Sequence, residues 1–326
     1  MFKEAPVSPC LKLSSSTTKP IEVQTEIRNM RGGAQSTLVR CTNGKLYVLK
    51  MSPNPQGLNV LANEFLGAHL IRGLGLSSPR TQPLTVTRQT LETCPSLAFE
   101  FPSENRLPQS GIHFGSEFLD ASGSRMYDWI PESWEDKIVN QDDFVGIYVF
   151  DIWTSHQDHR QCIFRQNQQN LSIKAFFIDN GHLFGGPDWA SVTQKPRSLF
   201  LPRALPPLLM GRSIDAWISR IRSNAPRLLR QAISRTPVRW YAGNIIELEH
   251  ILLQRLDDLA NLVDYQLSKT KLIDHQTHWT NAEISLLQRH RLLPSRDLDQ
   301  DGTFRGGLKQ GIQGRNGHRH ALRATY

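Results

Sequence analysis

No stretch of this 326-residue sequence approaches the ~20 consecutive apolar residues that a bilayer-spanning helix needs, so a helical membrane protein is excluded. The first twenty residues (MFKEAPVSPCLKLSSSTTKP) hold no continuous apolar segment ahead of a cleavage site, and a secretory leader is not expected. Cysteine is scarce: Cys10, Cys41, Cys94 and Cys162 lie far apart, with no C-x-x-C pair. That removes a zinc ribbon, a dithiol redox centre and a disulfide scaffold, and makes a reducing cytoplasm the expected location. Acid is the scarcer charge, with 30 Asp and Glu against 38 Lys and Arg, a formal +8. No internal repeat, helix-turn-helix or zinc-finger pattern is present.

What remains is globular in composition, 39% hydrophobic and 21% charged. The chain exceeds the usual single domain of ~100–200 residues and suits a two-lobed body with tails. Its positive charge is concentrated. Between Lys195 and Trp240 ten basic residues stand against one acid, Asp215. Trp217, Ile218, Ile221, Leu228 and Leu229 are interleaved among the arginines, as on an amphipathic helix with a solvated basic face. Such a face can also steer an acidic partner; nucleic-acid binding is not expected.

Residues 1–20, rich in Ser, Thr and Pro, are expected to form a flexible arm. Residues 36–41 and 45–50 have the pattern of two strands joined at Asn43-Gly44, a strong tight-turn signal. A helix is expected from about Asn59 to Arg72, with Leu61, Phe65 and Ala68 on its buried face and Gly73 and Gly75 ending it. Residues 82–101 suggest further strands, and the Gly-, Ser- and Pro-rich stretch 102–125 an inter-lobe hinge. From Gln141 the character turns helical, with DDFVGIYVFDIW as a core helix. Two short strands follow, Cys162–Arg165 and Ile173–Ile178. After Asp179-Asn180-Gly181 the pattern is helical to about Lys271. The end of the chain is glycine-rich and basic. The expected organisation is therefore an N-lobe over 21–110, a helical C-lobe over 111–290 and a disordered basic tail over 291–326.

Two constellations carry chemistry. Lys50 ends the expected buried face of a strand, with Leu46 and Val48 pointing the same way, so an anion must meet it or its charge is lost. Glu64 borders the apolar stripe of the following helix and is a suitable partner. A strand lysine paired with a helix glutamate can hold nucleotide phosphates, and Gly32 and Gly33 would let backbone N–H groups approach them. The same residues also describe an ordinary interior salt bridge below a glycine turn.

In the second constellation, Asp158 follows a helix within Thr154-Ser155-His156-Gln157-Asp158-His159-Arg160-Gln161-Cys162. Asp179 ends a strand ahead of Asn180-Gly181-His182. Phosphoryl transfer needs this division of labour: one carboxylate near the attacking hydroxyl and one on a phosphate-bridging Mg²⁺. Two loop aspartates are also common turn formers and caps.

Taken in order, MRGGAQS, YVLK, NPQ…VLANEFLGAHLIRGLGL, HFGS, FDIWTSHQDHRQCIF and FFIDNGHLFGG resemble the HipA-like kinases over roughly residues 25–265. The resemblance implies an α+β, two-lobed protein-kinase-like fold, with a β-rich N-lobe and a mostly helical C-lobe. It implies an ATP- and Mg²⁺-dependent kinase of the serine/threonine type. Lys50 would contact the α/β phosphates with Glu64 as its partner, and Gly32, Gly33 and Ser36 would lie in the phosphate loop. Asp158 would be the catalytic-loop aspartate and Asp179 the metal-binding aspartate. The acceptor would be a protein or small molecule bearing a hydroxyl, and an antitoxin-like protein partner is a further implication.

The sequence also departs from that pattern. His156 and His159 occupy positions where the family has Asn and Arg or another small or polar residue. Ile163 stands five residues after Asp158, where many kinases place a metal-binding Asn; Gln161 is the substitute oxygen donor. These departures keep open a pseudokinase that binds nucleotide without transferring phosphate. A metal-dependent hydrolase built on His156, Asp158, His159, Asp179 and His182 is a lesser alternative, since Thr154 stands where its first histidine belongs.

Overall fold

A computed structural model of the chain describes residues 19–100, 105–119, 123–190, 192, 207–268 and 322–323. The expected arm over 1–20 and tail over 291–326 lie almost wholly outside these. Strands β1 (Val23–Asn29), β2 (Thr37–Cys41), β3 (Leu46–Lys50) and β4 (Thr81–Val86) belong to one antiparallel sheet. Helix α1 (Val60–Gly73) lies between β3 and β4 in sequence, and a short helix α2 (Arg88–Thr93) follows β4. A two-residue ribbon pairs β5 (Phe99–Glu100) with β6 (Asn105–Arg106), and β7 (Gly111–Glu117) re-enters the large sheet. The sheet order is β1-β2-β3-β7-β4.

The C-terminal half begins with β8 (Ser124–Tyr127) and β9 (Trp129–Ile130), then α3 (Asp142–Thr154) and the hairpin β10 (Gln161–Asn167) and β11 (Ile173–Ile178). Helices α4 (Pro207–Arg235), α5 (Ile245–Asp257) and α6 (Leu259–Leu267) follow, and β12 (Leu322–Arg323) pairs with β9. The result is the expected two-lobed α+β architecture, a β-rich lobe over a largely helical one.

Local chemistry explains the elements that carry the site. Gly44 (φ +77°) supplies the left-handed residue of the β2–β3 turn, and its N–H donates to Cys41 O at 2.8 Å. In β3, Tyr47 and Leu49 face an apolar core above the sheet, shared with Val39, Leu84, Leu91 and Phe99. Val48 and Lys50 face the other way, into the space between the lobes. The face that carries Lys50 is thus the roof of a cleft. The sequence expectation that Leu46 and Val48 mark the core face is corrected: period two sets only the alternation, and the packing of Tyr47 and Leu49 against the core above the sheet decides which set is buried there.

Four further expectations change. The stretch 82–101 is a strand only to Val86; Thr87 then caps α2 by accepting the Thr90 N–H at 3.0 Å. The lobe boundary at 110/111 moves, because β7 is hydrogen-bonded between β3 and β4 in the N-lobe sheet, and the chain crosses to the other lobe after Glu117. The segment after Gly181 runs in turns to Ala190, and the next helix among the described residues is the one from Pro207. The long apolar pattern over 244–267 is two helices, broken at Asp258.

The basic segment does form an amphipathic helix. In α4, Ile214, Trp217, Ile218, Ile221, Ala225, Leu229 and Ala232 are buried, while Arg220, Arg222, Arg227 and Arg230 are exposed. Gly146 of α3 permits close packing there, since a Cβ would lie 2.6 Å from Trp217. Among the described residues no helix is long and apolar enough to cross a membrane. Cys41, Cys94 and Cys162 are buried free thiols; burial pushes Cys41 and Cys162 up to about 12, so neither is a reactive thiolate.

Candidate active site

Between the lobes lies a cavity of about 350 Å³. Every residue expected to contribute to the site lines it: Gly32, Gly33 and Ser36 from the β1–β2 loop, Lys50 from β3, Glu64 from α1, and Asp158, Gln161 and Asp179 from the other lobe. Val48, Ala68, Phe114, Leu119, Ile163 and Ile178 supply apolar walls.

Lys50 is the centre of the charge arrangement. Its Nζ donates to Glu64 Oε1 and, at 2.9 Å, to Asp179 Oδ1. Burial opposes the ammonium, but Asp179 and Glu64 more than offset it, and the Lys50 pKa is raised. Burial likewise favours a neutral Asp179, yet Lys50 holds that carboxyl well below the usual carboxylate range. Glu64 is raised by burial and by the Asp179 charge, against the pull of Lys50. Within the cleft, therefore, a protonated lysine faces an ionised Asp179. Asp179 adopts a left-handed backbone (φ +59°), which turns the chain sharply out of β11.

The loop bearing the glycines is tied down at both ends. Met30 N–H donates to Ser36 O at 2.8 Å, and Asn54 Nδ2 donates to Ala34 O at 3.2 Å. Gln35 exchanges two 2.7 Å bonds with the Glu100 backbone. Gly32 (φ +121°) holds a conformation that a side chain would strain, so its backbone is left bare toward the cavity.

Asp158 sits in the loop after α3, half-buried, with Oδ1 accepting its neighbour's N–H from His159 at 2.7 Å. Helix α3 ends in a left-handed Ser155 (φ +54°). Its last carbonyls are capped from α5, where Arg255 donates to Trp153 O and Ile152 O at 2.6 Å each. Gln161 and Ile163 share one face of β10 two residues apart, and both face the cavity. Gln161 pairs with Ile178, next to Asp179, while Ile163 lies one step further along the strand as an apolar wall.

Several residues that position the site carried no local signal. Asn63 is completely buried in α1; its Nδ2 donates to Gly181 O (2.8 Å), Leu183 O (3.1 Å) and Gly186 O (3.1 Å), and its Oδ1 accepts from Trp189 Nε1 (2.6 Å). One side chain thus clamps the segment after Asp179 onto α1. Asp151 and Arg160 form a buried ion pair below the Asp158 loop. An amide next to Glu64 in the mostly apolar first half of α1 was the one available hint of Asn63.

The histidines do not assemble a metal site. His156 is fully buried beside Asp151, and burial together with Arg160 lowers its pKa, keeping the ring neutral. His159 is exposed. Among the described residues no group of three or more His, Cys, Asp or Glu side chains is arranged to hold a metal ion. His113 is a satisfied core residue: its Nδ1 accepts from Ser52 N–H at 3.1 Å, and Nε2–H donates to Gln109 O at 2.8 Å.

Residues 22–176 match the family model described as HipA-like kinase. No curated protein matches the chain. Among solved structures the chain is similar to a Golgi casein kinase, with 16% identity over 75% of this chain and 73% of that one and a TM-score of 0.48. It is similar to the Helicobacter pylori proinflammatory kinase CtkA, with 13% identity over 78% and 100% of the two chains and a TM-score of 0.48. A third similar structure is the Shewanella oneidensis MR-1 toxin–antitoxin system HipA, HipB and operator DNA complex, at 11% identity over 75% and 66% and a TM-score of 0.36.

Proposed function

We propose, from the match of residues 22–176 to the HipA-like kinase model, that the chain is an ATP- and Mg²⁺-dependent phosphotransferase acting on a serine or threonine hydroxyl. The observation that carries this reading is the convergence of Lys50, Glu64, Asp158 and Asp179 on one cleft, although they come from β3, α1 and two loops of the opposite lobe.

In this reading the apolar walls receive the adenine, and the phosphates lie under the Gly32–Gly33 backbone. Lys50, kept charged and oriented by Glu64, binds the phosphates. Asp158 orients the acceptor hydroxyl and takes up its proton. The donor set suits a hard cation: Asp179 offers an ionised carboxylate and Gln161 an amide oxygen, and Mg²⁺ commonly takes few protein ligands alongside phosphates and water. Asp179 and Gln161 would hold it. When bound, the cation neutralises charge on the phosphate oxygens. Catalysis is then mainly positioning and electrostatics.

Single-turnover transfer from γ-labelled ATP with Mg²⁺ tests this. Wild type should label an acceptor, and Asp158→Asn should lower the rate by about 10²–10⁴-fold while still binding nucleotide. Asp179→Asn should also weaken metal-dependent binding. Nucleotide binding by wild type without any transfer would support the second reading, a nucleotide-binding interaction module, which Ile163 in the place of a metal-binding Asn favours. Absence of both binding and transfer would dismiss both readings.

A further inference from the structure

The cleft carboxylates sit on two loops, and the structure joins those loops from below. Arg160 is two residues beyond Asp158, but its side chain turns away from the cavity and is 2% exposed. Its guanidinium makes a fork on Asp151, with Nε donating to Oδ2 at 3.0 Å and Nη2 donating to Oδ1. The remaining nitrogen, Nη1, donates to Ile178 O at 3.1 Å and Asn180 Oδ1 at 2.8 Å, the residues on either side of Asp179. One planar group therefore holds the last turn of α3, the Asp158 loop and the Asp179 turn. Backbone bonds stitch the same loops: Gln157 N–H to His182 O (3.0 Å), Phe184 N–H to Thr154 O (2.8 Å) and Gly185 N–H to Ser155 O (3.1 Å).

We propose that Arg160 is a positioning residue that, braced by Asp151, fixes the spacing between the Asp158 and Asp179 loops, and that Asn180 is its contact on the metal side. The inference rests on the phosphotransferase reading. The guanidinium is suited to the role because five donors in a rigid plane meet four acceptors at once, which a lysine cannot do. Asp151 is buried, and burial alone would neutralise it; the Arg160 guanidinium keeps it ionised. A displacement of about 1 Å between reacting groups costs on the order of 10²-fold in rate, so a lock outside the cavity can govern turnover without touching substrate.

The test is Arg160→Met, measured for kcat, for KM of ATP and by hydrogen exchange of the Gln157, Phe184 and Gly185 amides. We expect kcat to fall by about 10²-fold, KM to stay within about threefold, and the three amides to lose protection. Because Arg160→Met strands a buried carboxylate, the charge-neutral pair Asp151→Leu with Arg160→Met is measured alongside. Recovery of stability with kcat still low supports positioning, whereas recovery of both shows that the ion pair served only the fold and overturns the proposal. Asn180→Asp should keep most of the activity and Asn180→Leu should not. If wild type transfers no phosphate, the phosphotransferase reading fails separately. Hydrogen exchange then decides the lock alone, and unchanged protection in Arg160→Met refutes it.

Discussion

At the scale of single residues, the molecule separates groups that are charged for use from groups kept neutral by burial. Lys50 and Asp179 remain ionised because each is the other's counter-charge. His113 has no such partner; burial lowers its pKa to about 4 from an ordinary value of 6.5, and Arg239 adds to the effect. The unfolded chain therefore takes up a proton first as pH drops. The stability from a neutral His113 is complete above about pH 6.5 and is lost progressively as pH falls toward 4, to the extent of about 3 kcal/mol. Urea unfolding at a series of pH values should show that decline. His113→Gln keeps an acceptor for Ser52 N–H and a donor for Gln109 O but cannot titrate, so its decline should be shallower. An equal slope in the variant would assign the acid sensitivity elsewhere, His156 being the next buried candidate.

At the scale of elements, α1 is the piece on which the cleft depends. Its residues from Val60 to Ala68 are all buried, because it is covered by the N-lobe sheet on one side and by the Asp179 segment and α4 on others. Glu64 and Asn63, adjacent in sequence, point to different partners: one reaches Lys50 of the sheet, the other clamps the loop after Asp179. Gly67 makes that approach possible, since a Cβ there would lie 2.4 Å from Leu183 Cδ1 and 2.7 Å from Asn180 Cβ. In an exposed helix, Gly→Ala stabilises by up to about 1 kcal/mol. Here the sign should reverse, with Gly67→Ala costing about 1–3 kcal/mol through overpacking against the metal-side loop. Chemical denaturation gives the sign directly, and a stabilised Gly67→Ala would contradict the tight packing. The expected buried stripe of Leu61, Phe65 and Ala68 was right for α1 as far as it went. It fell short because periodicity marks one covered face, and a helix between two lobes is covered on more than one.

At the scale of the whole molecule, the two lobes share a core. One apolar cluster sits above the N-lobe sheet, but the larger one runs from α1 and Phe114 of β7 through α3, the β10–β11 hairpin and α4 to α6. Trp240 is the join. It is fully buried after α4, lies edge-on to Phe65 and Phe114, and donates from Nε1 to Ile112 O of β7 at 2.8 Å. Such a shared core should make unfolding one transition. Trp240→Ala should lower stability by about 3–5 kcal/mol and weaken the coupling of the lobes. Calorimetry would resolve this; a variant with wild-type stability would mean the lobes are joined elsewhere.

The strands around Asn43-Gly44, helix α1, the core helix α3 and the hairpin leading to Asp179 were legible in the sequence, because each rests on local periodicity and turn chemistry. The residue types at the cleft were legible for the same reason: a lysine closing a strand, a glutamate beside an apolar stripe, and an aspartate before a glycine or after a helix. Tertiary structure alone decided which face of β3 is roof and which is core, and that β7 belongs with the first lobe. It alone brought Arg160 beneath both aspartates and Asn63 onto the segment after Asp179. Those outcomes depend on contacts between residues far apart in the chain, whose strength is set by burial and by distances that no local pattern encodes.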